Sequence, residues 1–89
     1  MSLSTNWDLQ IDSSVFKVLK RMPRRDTEAI SGVIRLLPFG PYYGDIQKMK
    51  GEENAWRRRV GVYRIFYKIK VSEKIILVFK LERRTSKTY

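Results

Sequence analysis

The sequence predicts a single α+β domain over residues 1–89, in which a helical hairpin packs on one face of an antiparallel sheet. At 89 residues, the chain is long enough for one modest hydrophobic core. Two segments of the first half carry apolar residues at helical spacing, and three segments of the second half have the composition of strands. With one further strand at the start, the predicted order is β-α-α-β-β-β, and the last three strands form an antiparallel meander.

The first half predicts one strand followed by two helices. Residues 7–11 (WDLQI) alternate apolar and polar side chains, as a half-buried strand does. Asp12 is a good N-cap residue for the helix that follows, because its side-chain oxygen can accept a free backbone N–H group. Pro23 ends this helix or opens the next one, which runs from about Arg24 and is stopped by Pro38.

The second half predicts three strands. Residues 56–60 and 62–69 are separated by Gly61, which permits a tight turn because it lacks the Cβ that forbids positive φ. Alternation along residues 62–69 sends the tyrosines and isoleucines to one face, and Arg64 and its alternating neighbours to the other. Residues 75–81 (IILVFKL) form a nearly continuous apolar run, which predicts a last strand buried on both faces.

Charge points to an anionic partner. The chain has 19 Lys and Arg against 9 Asp and Glu, a formal net charge of +10. Nucleic acid is the first choice of partner, an acidic protein the second and a membrane surface the third. No apolar run approaches the roughly 20 residues that span a bilayer, and no secretory signal is visible. The absence of Cys excludes disulfides and fits a reducing cytoplasm, so we expect a cytoplasmic protein.

Four arginines gather at the predicted hairpin. Arg57, Arg59 and Arg64 come close together around its turn, with Arg58 between the first two. Guanidinium groups repel one another unless an anion joins them, so we interpret this cluster as a phosphate-binding site. The alternative is a solvated charged face.

The side chains available for catalysis are Arg, Lys and Tyr. The chain has no His, its nine carboxylates show no metal-ligand spacing, and no Gly-rich phosphate loop occurs, so we expect neither metal nor cofactor. This set of side chains suits phosphodiesters, because RNA carries its own nucleophile in the 2′-OH group. A site has to align that group with the phosphate, neutralise the developing charge and move two protons.

Three parts of the chain carry a family resemblance: residues 48–51 (KMKG), residues 56–67 (WRRRVGVYRIFY), and Arg83 with Tyr89. On these, the chain resembles the RelE/ParE toxin superfamily, specifically the RelE-type mRNA interferases, over nearly its whole length. The order of strands and helices matches as well. The central motif is shared by the RNA-cleaving branch and by the ParE branch, which poisons DNA gyrase; Arg83 and Tyr89 favour RNA cleavage.

The resemblance implies the toxin of a type II toxin–antitoxin pair, which enters the ribosomal A site and cuts mRNA by 2′-OH attack without metal. It implies a catalytic set of Arg57, Arg59, Arg64, Arg83 and Tyr89. Since Arg is effectively never deprotonated, proton transfer falls to Tyr89 or to a lysine. The candidates for RNA and ribosome contact are Lys48, Lys50, Arg58, Lys68, Arg84 and Lys87.

The implied partners are a cognate acidic antitoxin, the ribosome and mRNA, with operator DNA reached only through the antitoxin and no membrane. Two other functions remain open: a ParE-like inhibitor of DNA gyrase without nuclease activity, and a catalytically inactive module that binds nucleic acid or antitoxin. Arg58 stands where relatives usually place an apolar core residue. Trp56, Tyr63 and Tyr67 are expected to belong to the core rather than to the site.

Overall fold

The computed structural model describes residues 7–84 and confirms the α+β class and the predicted order of elements. The chain forms β1 (Asp8–Ile11), α1 (Ser13–Arg21), α2 (Arg24–Leu36) and a 3-10 turn (Leu37–Phe39), followed by β2 (Ile46–Lys48), β3 (Ala55–Val60), β4 (Tyr63–Lys70) and β5 (Ile75–Arg83). The short strand β2 was not predicted, because three residues are too few to show an alternating pattern.

The sheet is mixed rather than wholly antiparallel. Its strand order is β1-β5-β4-β3-β2. The meander β3-β4-β5 is antiparallel, as predicted, and β2 extends it antiparallel to β3. The first strand, β1, instead pairs parallel with β5. The helical hairpin and strands β2, β3 and β4 lie between β1 and β5 in the chain, so the connection is long enough for a parallel pairing.

Local side-chain bonds fix the helical hairpin. Asp12 caps α1 by accepting the backbone N–H of Ser14 at 3.0 Å. A bond from the Ser14 hydroxyl, followed by this backbone bond, lowers the pKa of the Asp12 carboxyl from its usual value. The two helices are joined where the Thr27 hydroxyl donates to the carbonyl of Leu19 at 2.9 Å. The second helix ends one residue before the predicted Leu37, and Pro38 lies inside the 3-10 turn that follows.

The core lies between the helical hairpin and one face of the sheet. Its buried members are Val15, Ile30, Ile34, Leu37, Tyr63, Ile65, Tyr67, Ile69, Ile76, Val78 and Leu81. The alternation predicted for residues 62–69 is therefore confirmed, and the half-buried Trp56 packs against this core as expected. Within residues 7–84, no helix is long and apolar enough to span a membrane.

Strand β5 departs from the predicted burial on both faces. Its helix-facing residues are buried, whereas its other apolar residues are only half-buried. A bulge shifts the register, since Phe66 pairs with Lys80 while Tyr67 pairs with Val78, and Phe79 is the extra residue. Phe79 stacks on Phe66 with ring centroids 6.3 Å apart, and the Lys80 ammonium lies 5.2 Å from the Phe66 centroid. Phe79 is thus covered by a neighbouring ring, and that ring is covered by a lysine side chain. The apolar run of residues 75–81 can therefore include Phe79 without its full burial.

Candidate functional site

The hairpin β3–β4 places three of the predicted arginines on one surface. A two-residue turn joins the strands, with Gly61 at a φ of 58°. Arg59 pairs with Arg64 and Arg57 with Phe66, so these side chains project from the sheet face opposite the helices, here called the outer face. The backbone N–H of Arg59 donates to the backbone carbonyl of Asp45 at 2.9 Å, so it points away from β4. Arg59 and Arg64 are thus a non-hydrogen-bonded pair, the type in which facing side chains lie closest.

Carboxylates next to the cluster neutralise it only in part. The Arg59 Nε lies 3.0 Å from Asp45 Oδ2, and Arg64 Nη1 lies 3.4 Å from Glu82 Oε2. Glu82 also lies 3.3 Å from the Lys80 ammonium, so two cations share this one carboxylate. The Arg59 and Asp45 side chains are 52% and 62% exposed, and such exposed ion pairs contribute about 0–1 kcal/mol. An entering phosphate can therefore replace the Asp45 carboxylate at little cost.

A small groove adjoins the cluster on the outer face. It has a volume of about 210 Å³ and is lined by Asp45, Ile46, Gln47, Arg57 and Arg59. The Arg57 Nη2 donates to the Gln47 side-chain oxygen, so its guanidinium is oriented by a neutral group rather than by a carboxylate. The groove thus combines the Arg57 guanidinium, which forms no ion pair among residues 7–84, with an amide, a combination that suits the oxygens of a phosphodiester.

Three of the predicted RNA-binding lysines lie around the cluster. Lys48 and Lys50 line a second groove of about 250 Å³, which they share with Arg57. Lys68 projects from the outer face, 5.6 Å from the Phe79 centroid and 4.0 Å from Glu52. These lysines widen the positive surface, while Lys87 and Tyr89 lie outside the residues that the structure describes.

Arg58 faces the opposite side of the sheet. It pairs with the buried Ile65, so it occupies the core-facing position that the resemblance indicated. Its Nη1 donates to the Tyr43 carbonyl at 3.3 Å, and a Cβ at Gly44 would lie 2.5 Å from its Cζ. The guanidinium thus packs beneath the loop before β2, on the face opposite the cluster, and its RNA contact stays a prediction.

Arg83 is separated from the other predicted catalytic arginines. It pairs with Tyr63, so its side chain leaves β5 on the helix-covered side. There the Tyr63 hydroxyl donates to Asp26 Oδ2 at 3.0 Å. Burial, followed by this hydrogen bond and the Asp26 charge, raises the pKa of Tyr63, and the nearby Arg83 charge opposes that rise. The structure therefore brings Arg57, Arg59 and Arg64 together and leaves Arg83 out.

Arg84 lies on the outer face, where the resemblance leads us to expect Arg83. Its backbone N–H donates to the carbonyl of Val62, which continues the β4–β5 pairing by one residue. Alternation then puts Arg84 on the outer face beside the turn, on the same side as Glu82. The sequence predicts Arg84 only as an RNA contact. Counting alternation onward from the buried Leu81 predicts this placement, once β5 is extended beyond its apolar run.

The comparisons with known proteins agree on one family. A family model described as the ParE toxin of the type II toxin–antitoxin system parDE matches residues 9–87. A curated protein of Methanocaldococcus jannaschii that carries the name RelE1 toxin is 28% identical over 81 residues, which cover 88% of this chain and 90% of that protein.

Solved structures share the fold. The archaeal RelE of a RelE–RelB complex from Pyrococcus horikoshii OT3 superposes with a TM-score of 0.80 at 24% identity, covering 93% of this chain and 100% of that one. The isolated E. coli RelE toxin gives a TM-score of 0.76 at 13% identity, with 91% and 87% covered. A YoeB/ParE toxin from Agrobacterium tumefaciens gives 0.70 at 22% identity, with 88% and 99% covered. At these identities the likeness is one of fold.

Proposed function

The chain belongs to the ParE toxin family of type II toxin–antitoxin systems, and from this premise we propose that it is a ribosome-dependent endoribonuclease that cleaves mRNA. The observation that carries the proposal is the outer-face cluster of Arg57, Arg59 and Arg64 beside a groove of about 210 Å³. Three guanidinium groups at one exposed surface, only partly neutralised, form a phosphate clamp.

The proposed reaction is an attack of the RNA 2′-oxygen on the neighbouring phosphorus. A bond forms between these atoms, and the bond from phosphorus to the 5′-oxygen of the next nucleotide breaks. The products are a 2′,3′-cyclic phosphate and a 5′-hydroxyl. One proton leaves the 2′-OH group and another is delivered to the departing oxygen. The clamp stabilises the negative charge that develops on the phosphoryl oxygens between these two events.

Proton transfer requires other side chains than the clamp, because Arg stays protonated. Lys68 and Lys80 lie on the outer face and are candidates there. We retain Tyr89 as a proposed proton donor or acceptor and base-stacking residue, on the strength of the resemblance alone. Arg83 is proposed only as a secondary contributor, because its side chain leaves β5 on the covered side, next to Tyr63.

The proposed partner is a cognate acidic antitoxin, through which the toxin reaches operator DNA in the cytoplasm. Two structures with the same fold are complexes with RelB, from Pyrococcus horikoshii and from Methanococcus jannaschii. The net charge of +10 favours an acidic segment laid over the outer face as a helix or strand, where it would neutralise the clamp.

A second candidate function is inhibition of DNA gyrase without RNA cleavage. The matching family model carries the ParE name, and one structural match is described as a YoeB/ParE toxin. In that case the arginine cluster would contact a protein or DNA, and no scissile phosphate would enter the groove.

Induced expression followed by primer extension on cellular mRNA tests the proposal. We expect cuts within codons, which disappear in the Arg59→Ala/Arg64→Ala variant. Arg24→Ala is the matched control, because it also removes positive charge but from an α2 side chain that is 92% exposed and distant from the sheet's outer face. Intact mRNA together with double-strand DNA breaks would overturn the proposal in favour of gyrase inhibition.

A further inference from the structure

The end of the 3-10 turn and the loop that follows it up to β2 expose three aromatic rings. Phe39, Tyr42 and Tyr43 are 53%, 50% and 75% exposed. Large apolar rings that gather at one exposed place mark a binding surface more often than scattered ones do. The arginine cluster of the outer face does not include this loop, so the rings require an explanation of their own.

Two polar side chains of the sheet, Tyr67 and Arg58, bind the backbone of this loop. The Tyr67 hydroxyl, which lies in the core, donates to the Pro41 carbonyl at 2.7 Å. Burial is the main reason that the pKa of Tyr67 rises to about 12, so the hydroxyl keeps its proton and remains a donor. Arg58 donates to the Tyr43 carbonyl from below at 3.3 Å, and the Tyr43 ring covers Gly40 so closely that a Cβ there would clash. The backbone is thus fixed from inside while the rings face solvent.

The aromatic loop continues into the positive edge of the sheet. The Tyr42 ring meets Trp56 edge-on, with centroids 5.6 Å apart and planes at 85°. Trp56 pairs with Lys48 of the edge strand β2. Lys48 and Lys50 share the groove of about 250 Å³ with Arg57. A continuous surface therefore runs from the exposed rings, around the edge strand β2, to the phosphate clamp on the outer face.

We propose that Tyr42 and Tyr43 form a stacking platform for unpaired bases of the mRNA strand whose phosphate occupies the clamp. The proposal rests on the proposed function in taking mRNA as the ligand. Preorganised rings flanked by lysines are the combination that single-stranded nucleic acid requires, because every base has a π-face and every nucleotide a negative charge. Fixing the loop in advance also lowers the entropy that binding costs.

An acidic peptide is the other occupant that this charge would attract. The rings distinguish the two, since an acidic peptide needs cations but has no requirement for open aromatic faces. Tyr43 leaves three quarters of its surface open, and its backbone carbonyl is already bonded to Arg58. The loop therefore offers faces for stacking, which favours bases over carboxylates.

Binding to ribosomes programmed with an mRNA that carries a 2′-O-methyl group at the cleavage position tests the platform without any cleavage. Tyr42→Ala/Tyr43→Ala should weaken this binding by about 10-fold or more, from the roughly 1–3 kcal/mol that one stacked base contributes. Tyr42→Phe/Tyr43→Phe should bind like the wild type, because the rings remain. Phe16→Ala is the matched control, since it removes another half-exposed ring, on α1, away from the sheet edge. Thermal unfolding of each variant checks that the fold is retained.

Cleavage of unmodified mRNA separates this proposal from the proposed function. We expect the alanine pair to raise KM while kcat stays near the wild-type value. A wild-type protein that cleaves nothing, while the alanine pair still loses binding to programmed ribosomes, would support the platform and refute the nuclease. Alanine variants that bind and cleave like the wild type would overturn the platform alone. If the alanine pair loses as much binding to ribosomes that carry no mRNA, the choice of mRNA as the ligand is overturned. The same follows if the alanine pair loses binding to an acidic peptide but keeps its binding to programmed ribosomes.

Discussion

The two faces of the sheet use the same types of residue in different ways. Arg58 and Arg59 are adjacent in the chain and project from opposite faces of β3. Arg58 packs against a backbone carbonyl and Gly44, and its Nε is buried without a hydrogen-bond partner among the described residues. Arg59 is half exposed and shares its charge with one exposed carboxylate. The first arginine supports structure, and the second is available to an anionic ligand.

Tyrosines show the same division. Tyr67 is fully buried and its hydroxyl donates to Pro41, while Tyr42 and Tyr43 present their rings to solvent on the loop that this bond holds. Residue type therefore does not identify the site in this chain. The environment of each side chain, covered by other parts of the fold or open to solvent, decides what an arginine or a tyrosine does.

The largest effect is expected from variants that remove one arginine of the clamp on the outer face. Arg64→Ala or Arg59→Ala should slow single-turnover cleavage on programmed ribosomes by about 10²-fold, by analogy with a lost oxyanion-hole donor. Both residues are exposed or half-exposed, so the free energy of unfolding should change by no more than about 0.5 kcal/mol. Arg24→Ala should leave both quantities unchanged, and an equal loss in all three variants would show that net charge alone matters.

A pH titration of stability tests the covered face. The pKa of Tyr67 is about 12 in the folded protein against an ordinary value of 10. Between these values the unfolded chain has lost this proton and the folded protein keeps it, so stability is fully present below pH 10 and falls as the pH rises. The slope is about 1.4 kcal/mol per pH unit for this one group. Denaturant unfolding from pH 8 to 12 measures it, and Tyr67→Phe should remove this part of the slope.

Arg58→Ala should affect stability rather than cleavage. The change removes a hydrogen bond to Tyr43 and the packing of the side-chain stem, which together cost about 1–2 kcal/mol of unfolding free energy. Cleavage per folded molecule should stay within about twofold of the wild type, because the clamp on the other face is intact. Urea unfolding combined with the cleavage assay measures both, with Arg59→Ala as the reciprocal control. Slow cleavage at unchanged stability would place Arg58 in the RNA interface after all.

The smallest expected effect distinguishes Arg83 from Arg84. Arg84 lies on the side of the clamp, so Arg84→Ala should slow cleavage by about tenfold, the equivalent of one charge-assisted contact. Arg83→Ala should have less effect, because its charge lies near Tyr63 and Asp26 on the covered side. Parallel single-turnover assays of the two variants measure the difference. A slower Arg83 variant would show that this side chain reaches around the end of the sheet.

Local pattern in the sequence determined the order of elements, the two helices, the Asp12 cap of the first helix, and the face to which each residue of β4 points. It also determined that Arg57, Arg59 and Arg64 lie together, because they depend on one hairpin whose period is fixed by backbone geometry. Periodicity alone therefore predicted the centre of the candidate site.

Tertiary structure alone decided the parallel pairing of β1 with β5, the bulge at Phe79, and the loop that holds Arg58. The sequence pattern ends the last strand at residue 81, yet Arg83 ends β5 and pairs with Tyr63. Each of these features joins segments distant in the chain. Their geometry follows from the free energy of packing helices and strands around one core, which no local window of residues contains.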